Sequence, residues 1–327
     1  MSRTLADCYY VAMSLQVNVK LDVATAGRAV VDLYPANDGL APKDVESYRQ
    51  YLGGSPTNVA VAAARAGLRS AVVTRTGDDL FHDFVIDQLE GFGVDTRWVR
   101  AESGRRTTLA VCDLREPHEP ALTFFRDAQP PEESIDAELT EAAASSRILW
   151  ITASGFATEQ SAAVHAAAIA AADRVFLDLD YRRDFWTSES ALRERLHPIL
   201  GQVDAVIGNV QEVQIALGES GAPADLAREL LARGPRLAVV KEGAKGALAA
   251  TREEVVTQSA FPVQTINGLG AGDAFGGQIL HGEVAGWPLD LTMRHAVAAG
   301  AIVASRRGCS VAMPTAAEVT QFLAERP

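Results

Sequence analysis

From residue 22 onward, short apolar runs alternate with longer stretches whose apolar residues recur at helical spacing. "SAVVTRTG" (70–77), "RILWITASG" (147–155), "RVFLDLDYR" (174–182), "DAVIGN" (204–209) and "PRLAVVKEG" (235–243) have the near-continuous apolar character of strands covered on both faces. "VATAGRAVVDLYP" (23–35) is also β-like, and "FPVQTI" (261–266) is strand-like. Between these runs lie "TNVAVAAARAG" (57–67), "DLFHDFVIDQLEGFG" (79–93), "ATEQSAAVHAAAIAAAD" (157–173) and "VQEVQIALG" (210–218), each with helical periodicity and several ending on glycine, a helix stop. Residues 271–285, 289–304 and 315–325 also predict helices. Strands alternating with helices imply an α/β fold: a doubly wound, mostly parallel sheet with both faces covered.

Two stretches break the rhythm. Residues 36–52 are loop-like with scattered aromatics, and residues 97–128 alternate as antiparallel strands do. Both come early in the chain, which suggests that they build one small β-rich lid. The predicted division is therefore a core of 22–35, 53–96 and 129–327, a lid of 36–52 and 97–128, and an N-terminal extension of 1–21. Residues 127–146 open as a Pro-marked loop and continue as a helix.

Composition narrows the function classes. The 327 residues are 48% apolar, enough for a large core. A net charge of −12 argues against binding nucleic acid through its phosphates. Cys8, Cys112 and Cys309 lie far apart with no CxxC, so neither a disulfide framework nor a zinc site is implied, and a reducing cytoplasm is expected. No apolar run approaches the roughly 20 residues of a membrane span. No basic-then-apolar leader stands at the N-terminus. There is no GxxxxGK[ST], no GxGxxG after a strand, no HExxH and no GxSxG.

Four short stretches carry candidate chemistry. "GLGAGDAFGG" (268–277) is glycine-rich where a helix begins. Gly270, Ala271 and Gly272 leave backbone N–H groups open to an anion, and Asp273 beside them can take a proton from a hydroxyl. The positive helix end should keep that carboxylate ionised. A tight turn with Asp273 as a plain cap fits the same residues. "YLGGSPTNVAVAAARAG" (51–67) offers Gly53 and Gly54 for close backbone approach, then Ser55, Thr57 and Asn58 as polar contacts, or else a capped helix start. In "GNVQEV" (208–213), Asn209 and Glu212 share a face, as ligands of a hydrated Mg²⁺ or as a capping box. "KEGAKG" (241–246) holds two of the chain's four lysines, Lys241 and Lys245, in one turn, which favours a phosphate contact.

In this order and spacing the motifs resemble those of the ribokinase-like (PfkB) carbohydrate kinases, over essentially the whole chain from residue 22. "GGSPTNVAVAAARAGLRSAVVTRTGDD" (53–79) looks like the family's first signature, "GLGAGDAFGGQIL" (268–280) like its second, and "GNVQE" like its Asn-x-x-Glu motif. The resemblance implies an ATP-dependent sugar kinase with Mg²⁺. Asp273 then corresponds to the catalytic base and Gly270, Ala271 and Gly272 to the anion hole. Asn209 and Glu212 match the residues that organise the metal and phosphates. Lys241, Gly243 and Gly246 match the nucleotide turn, and Val297 falls where the family packs against adenine. Asp32, Gly53, Gly54 and Asn58 match sugar-hydroxyl contacts. The lid corresponds to one that often forms a homodimer interface. Where the family commonly has Asp-Thr, this chain has Asn267-Gly268. That acid helps to hold a monovalent cation in relatives, so K⁺ is left open, with the carbonyls around Val303, Arg306 and Gly308 as remaining ligands.

Within the family, "GRAVVDLYP", "YLGGSPTNVAVAAARAG", the "FFR" of 124–126 and "LDLDYRRDFW" (177–186) look like the branch of 5-dehydro-2-deoxygluconokinases of inositol catabolism. An acidic sugar calls for arginine, whose planar fork matches a carboxylate. Arg126 and Arg182 are the candidates, with Asp180 beside them. The competing expectation is that both arginines pair with Asp127, Asp178 or Asp180. "DAQPPEESI" and "ASGFATEQ" depart from that branch and keep 2-keto-3-deoxygluconate, fructose and nucleosides in play, as well as a non-catalytic sugar sensor on the same fold.

Overall fold

In the interior strands, consecutive apolar residues split between two faces of one sheet. Leu149 and Ile151 pack into a cluster on one side, while Ile148 and Trp150, their neighbours in sequence, pack into a cluster on the other. That is the period-2 geometry of a strand buried on both faces. The computed structural model describes residues 20–37, 39–118 and 120–326. The predicted extension, Cys8 included, lies outside the described residues apart from Lys20 and Leu21.

The described strands, numbered in chain order, form two sheets. The larger contains β1 (Leu21–Ala26), β4 (Ser70–Gly77), β5 (Val99–Glu102), β8 (Ser146–Thr152), β9 (Val175–Asp178), β10 (Ala205–Asn209), β11 (Leu237–Lys241), β12 (Gly246–Ala250) and β13 (Val255–Ser259), in the order 13-12-11-10-9-8-1-4-5. From β11 to β5 every pairing is parallel, and β12 and β13 close one edge antiparallel. The smaller sheet contains β2 (Val30–Pro35), β3 (Tyr48–Gly53), β6 (Thr108–Asp113) and β7 (Ala121–Phe125), in the order 3-2-6-7. It is the lid.

Helices cover both faces of the large sheet. One face carries α3 (Ala137–Ala144), α4 (Glu159–Ala171), α5 (Glu189–Leu200), α6 (Val210–Leu217) and α7 (Pro223–Ala232), with Leu139, Ile169, Leu196 and Leu230 in its core. The other carries α1 (Ser55–Arg65), α2 (His82–Gly91), α8 (Ala271–Ala285), α9 (Leu289–Ala304) and α10 (Ala316–Ala324), with Val61, Leu89, Ile279, Ile302 and Val319.

Three expectations shift. "VATAGRAVVDLYP" is two strands in two sheets: Gly27 (φ +140°) turns the chain after β1, and β2 crosses into the lid rather than staying in the core. β5, placed with the lid from sequence, hydrogen-bonds β4 at the edge of the large sheet instead. Residues 261–266 form no ladder with another strand. β6 and β7 do alternate, β6 burying every second residue, because only one face meets the core. Yet β6 runs parallel to β2 and antiparallel only to β7.

Candidate active site

The site lies at the carboxyl ends of the parallel strands, the crevice in which open α/β sheets bind ligands. Arg28 follows β1, Asp178 ends β9, Asn209 ends β10 and Lys241 ends β11. Against them stands the N-terminus of α8. Gly270 caps it in the left-handed region (φ +81°), a conformation that costs glycine little. The N–H groups of Ala271, Gly272 and Asp273 open the helix, with no carbonyl one turn back to accept them. Side-chain bulk is missing for a second reason further along. A Cβ on Gly276 would stand 2.7 Å from the Trp150 ring, and one on Gly277 would stand 2.5 Å from Ala62 Cβ. These glycines seat α8 tightly on the sheet and on α1.

Asp273 is held by two donors from α1. Ser55 Oγ donates to Oδ1 at 2.7 Å and Asn58 Nδ2 to Oδ2 at 2.8 Å, while Ser310 Oγ donates to Asn58 Oδ1 at 2.6 Å. A relay from Ser310 through Asn58 thus orients the carboxylate. Burial, then the charge of Asp180, push its pKa up, while Ser55, Asn58 and Lys241 pull it back. A raised carboxylate is the better proton acceptor near neutral pH.

Around Asp273 lies a set of charges, most of them buried. Arg28 and Asp180 are 3% and 5% exposed and pair at 2.6 Å. Arg182 meets the other Asp180 oxygen at 2.8 Å. Asp180 has φ +22°, the one described non-glycine residue with positive φ. Burial alone would raise it, but the charges of Arg182 and Arg28 hold its pKa below the usual value. Asp32 lies against the backbone of Gly53, where any Cβ would collide with its carboxyl group. Burial lifts Asp32 to about 7, with the charge of Asp273 adding to it. Lys241 Nζ sits 3.6 Å from Asp178 and within reach of Gly272. The opposing charges of Asp178, Glu212, Asp273 and Asp180 keep its pKa up against burial.

On the other side of α8 is a cavity of about 550 Å³ lined by Lys241, Gly243, Gly246, Ala271, Gly272 and Val297, among others. Phe261 and Pro262, from the stretch that forms no ladder, add to its wall. Lys245 is exposed, away from that lining. Asn209 and Glu212 form a capping box at α6: Asn209 Oδ1 accepts from the Glu212 N–H at 2.9 Å, and Glu212 Oε2 accepts from the Asn209 N–H at 2.7 Å. Glu212 Oε1 takes no part in it. No three His, Cys, Asp or Glu converge as a metal site among the described residues.

Arg126 lines a second cavity, of about 420 Å³, with Arg28, Glu132, Glu133, Ser154 and Phe185. It pairs with Glu132 at 3.2 Å and Glu133 at 3.8 Å and stacks over Phe185 at 4.0 Å, the ring that Arg28 also approaches at 5.2 Å. The acids expected beside Arg126 are thus replaced by Glu132 and Glu133, while Arg182 does pair with Asp180. Sequence reasoning missed Arg28 and Asp178. The signals were an arginine inside the apolar "AGRAVVDL" and paired acids in "LDLDY".

A glycine-capped helix end facing a cavity of about 550 Å³, with an oriented carboxylate beside it, is an arrangement suited to a phosphotransferase. The chain belongs to the pfkB family of carbohydrate kinases, whose model matches residues 20–316. It is an ATP-dependent sugar kinase of that family. It is similar to the 5-dehydro-2-deoxygluconokinase of Bacillus velezensis, 28% identical over 312 residues covering 93% of this chain and 94% of that one. Its fold matches a putative ribokinase II from E. coli in complex with ATP and Mg²⁺ (TM-score 0.84, 20% identity, 94% and 100% coverage). It also matches fructokinase from Vibrio cholerae O395, solved with fructose, ADP and calcium and, as a double mutant, with fructose, ADP and potassium (TM-score 0.81, 28% identity, 93% and 99% coverage for each).

Proposed function

We propose that this kinase phosphorylates the primary hydroxyl of a small sugar acid, 5-dehydro-2-deoxygluconate. The observation that carries the substrate class is a cluster of guanidinium donors. Arg28, Arg126 and Arg182 each keep a buried Nε–H with no acceptor among the described residues. An oxygen-rich anion supplies the acceptors that these donors lack. Arg28 joins the two arginines expected from sequence, and it lines the cavity with Arg126 where Arg182 does not.

In this reading the sugar lies between the lid and the large sheet, with Asp32 and the Gly53–Gly54 backbone beside its hydroxyls. Asp273 takes the proton of the reacting hydroxyl. The freed oxygen attacks the γ-phosphorus of ATP as the bond to ADP breaks. The N–H groups of 271–273 and Lys241 face the charge that develops. ATP occupies the cavity beside Gly243, Gly246 and Val297. Asn58, expected to contact the sugar, also orients Asp273.

Mg²⁺ fits this site as an ion brought by the nucleotide. Asp178, Asp180, Glu212 and Asp273 set four carboxyl groups against Lys241, Arg28 and Arg182, and Glu212 Oε1 is free to hold one of the ion's waters. When bound, the ion neutralises phosphate charge. A monovalent cation behind the helix end does not fit: Asn267 brings no charge, and its amide already occupies the Gly308 carbonyl at 3.2 Å. Two copies pair through the lid, whose outer face exposes Tyr48 and Phe125.

An ADP-release assay over a panel of keto-sugar acids, neutral sugars and nucleosides tests the substrate. The acids are expected to give the highest kcat/KM, and Arg126→Ala is expected to harm them more than fructose. Equal losses on both, or preferred use of fructose or a nucleoside, would overturn the acidic substrate. No ADP release from any of them would favour the sensor.

A further inference from the structure

We infer that Asn267 substitutes for a monovalent cation behind the anion hole, so that this kinase positions its phosphate-binding loop without potassium. The inference rests on the role of residues 268–273 given above.

Asn267 is fully buried. Its amide nitrogen donates to the Gly308 carbonyl at 3.2 Å and to Tyr34 Oη at 3.3 Å, and its amide oxygen accepts from the Leu269 N–H at 3.0 Å. One amide thus spans the lid strand β2, the loop after α9 and the first residues of the anion hole. An ion held by carbonyl oxygens draws such segments together in the same way.

Several nearby carbonyls also accept from the chain's own donors. Ala304 O accepts from the N–H groups of Ile266 and Asn267, at 2.8 and 3.2 Å, and Val303 O accepts from the Arg306 N–H at 2.9 Å. Arg306 Nη1 donates to Ala312 O at 3.2 Å, and Arg307 donates to Pro35 O. Arg306 is also paired with Glu318 at 2.6 Å, and no acid stands at 267 to offset a further cation.

The position of this loop matters to the chemistry. Cys309 is the wall against which Gly270 packs: a Cβ on Gly270 would stand 3.3 Å from it. Ser310 begins the relay to Asn58 and Asp273. Loosening the 305–312 loop would disturb the anion hole and the base together. Asn267 is therefore a positioning residue.

The experiment compares KCl with choline chloride at equal ionic strength. ADP release is read with the preferred sugar of the panel, and melting temperature without any substrate. The wild type is expected to give the same rate and the same melting temperature in both salts. Asn267→Asp buries a carboxylate and recreates a demand for a cation, so it should be slower and less stable in choline and recover both in KCl. Asn267→Ala should be impaired in both salts without recovery. A several-fold rise in wild-type rate, or a clear rise in its melting temperature, with KCl would overturn the inference. So would a folded Asn267→Asp that ignores potassium, or a fully active Asn267→Ala. Should Asn267→Asp not fold, the wild type and Asn267→Ala decide. The melting arm stands if no sugar is turned over, so failure of the kinase reading is seen separately.

Discussion

The two sides of α8 are built in opposite ways. Toward the nucleotide cavity the chain withdraws its side chains: Gly243, Gly246, Ala271 and Gly272 leave backbone and space, with Lys241 as the charge. Toward the Asp273 carboxylate it crowds in charge: Arg28, Asp32 and Asp180 are buried, Arg182 and Asp273 partly so, and neighbouring charges shift all three carboxyls. A phosphate chain common to many reactions needs only N–H groups and one cation. Choosing one sugar needs directional polar contacts, which are costly to bury unless paired. Generality here is made of backbone, and selectivity of paired side chains.

Asp273→Asn would break the comparison at the point where the two sides meet. We expect turnover to fall by about three decades or more while nucleotide binding persists, measured by ADP release and by calorimetry with ATP. Near-normal turnover would remove Asp273 as the base. Arg28→Met tests the charged side alone. Asp180 keeps Arg182, so the loss of stability should be about 3 kcal/mol, the low end for a broken buried pair, read from denaturant midpoints. A neutral result would mean that the pair contributes nothing net to the fold.

Gly276→Ala tests the seating of α8 between the two sides. Its methyl group would press on Trp150 and shift α8, costing about 1–3 kcal/mol and displacing the anion hole and Asp273 together. Unchanged stability and kcat would show that α8 has room to move. The pH arm is smaller. Asp32 is lifted to about 7 from 3.8, so the folded state holds a proton that the unfolded state has lost between those values. Its contribution to stability is full below pH 3.8 and disappears as pH rises through 7. Wild type minus Asp32→Asn should therefore show stability falling across that window, and a flat difference would remove the shift. Smallest of all, Lys245→Ala at the exposed turn should change stability by less than about 0.5 kcal/mol and leave ATP affinity nearly intact.

The parts of this molecule legible in sequence are those fixed by local rules. Runs such as Ser70–Gly77 can only be strands covered on both sides, and the glycines of 268–277 mark a helix start that carries little bulk. β2 was harder, because Val30–Pro35 looks as apolar as a core strand and only the turn at Gly27 sends it into the lid. The capping box of Asn209 and Glu212 and their metal-side reading share one spacing, so spacing alone left both open. The charged half of the site was least legible. Arg28 meets Asp180 across 152 positions, and nothing local to either announces the partner. Arg126 found Glu132, only six residues on, across the Pro-marked turn.

The relay Ser310–Asn58–Asp273 also sets when the site can exist. Its links join positions 252 and 215 residues apart, so the base gains its orientation only after the last segment of the chain has docked on a helix made near the beginning. Contacts this distant in sequence form late in folding. During synthesis the sheet and most helices can assemble while the carboxylate still lacks its second support. In refolding, helical signal should return before the power to transfer phosphate does.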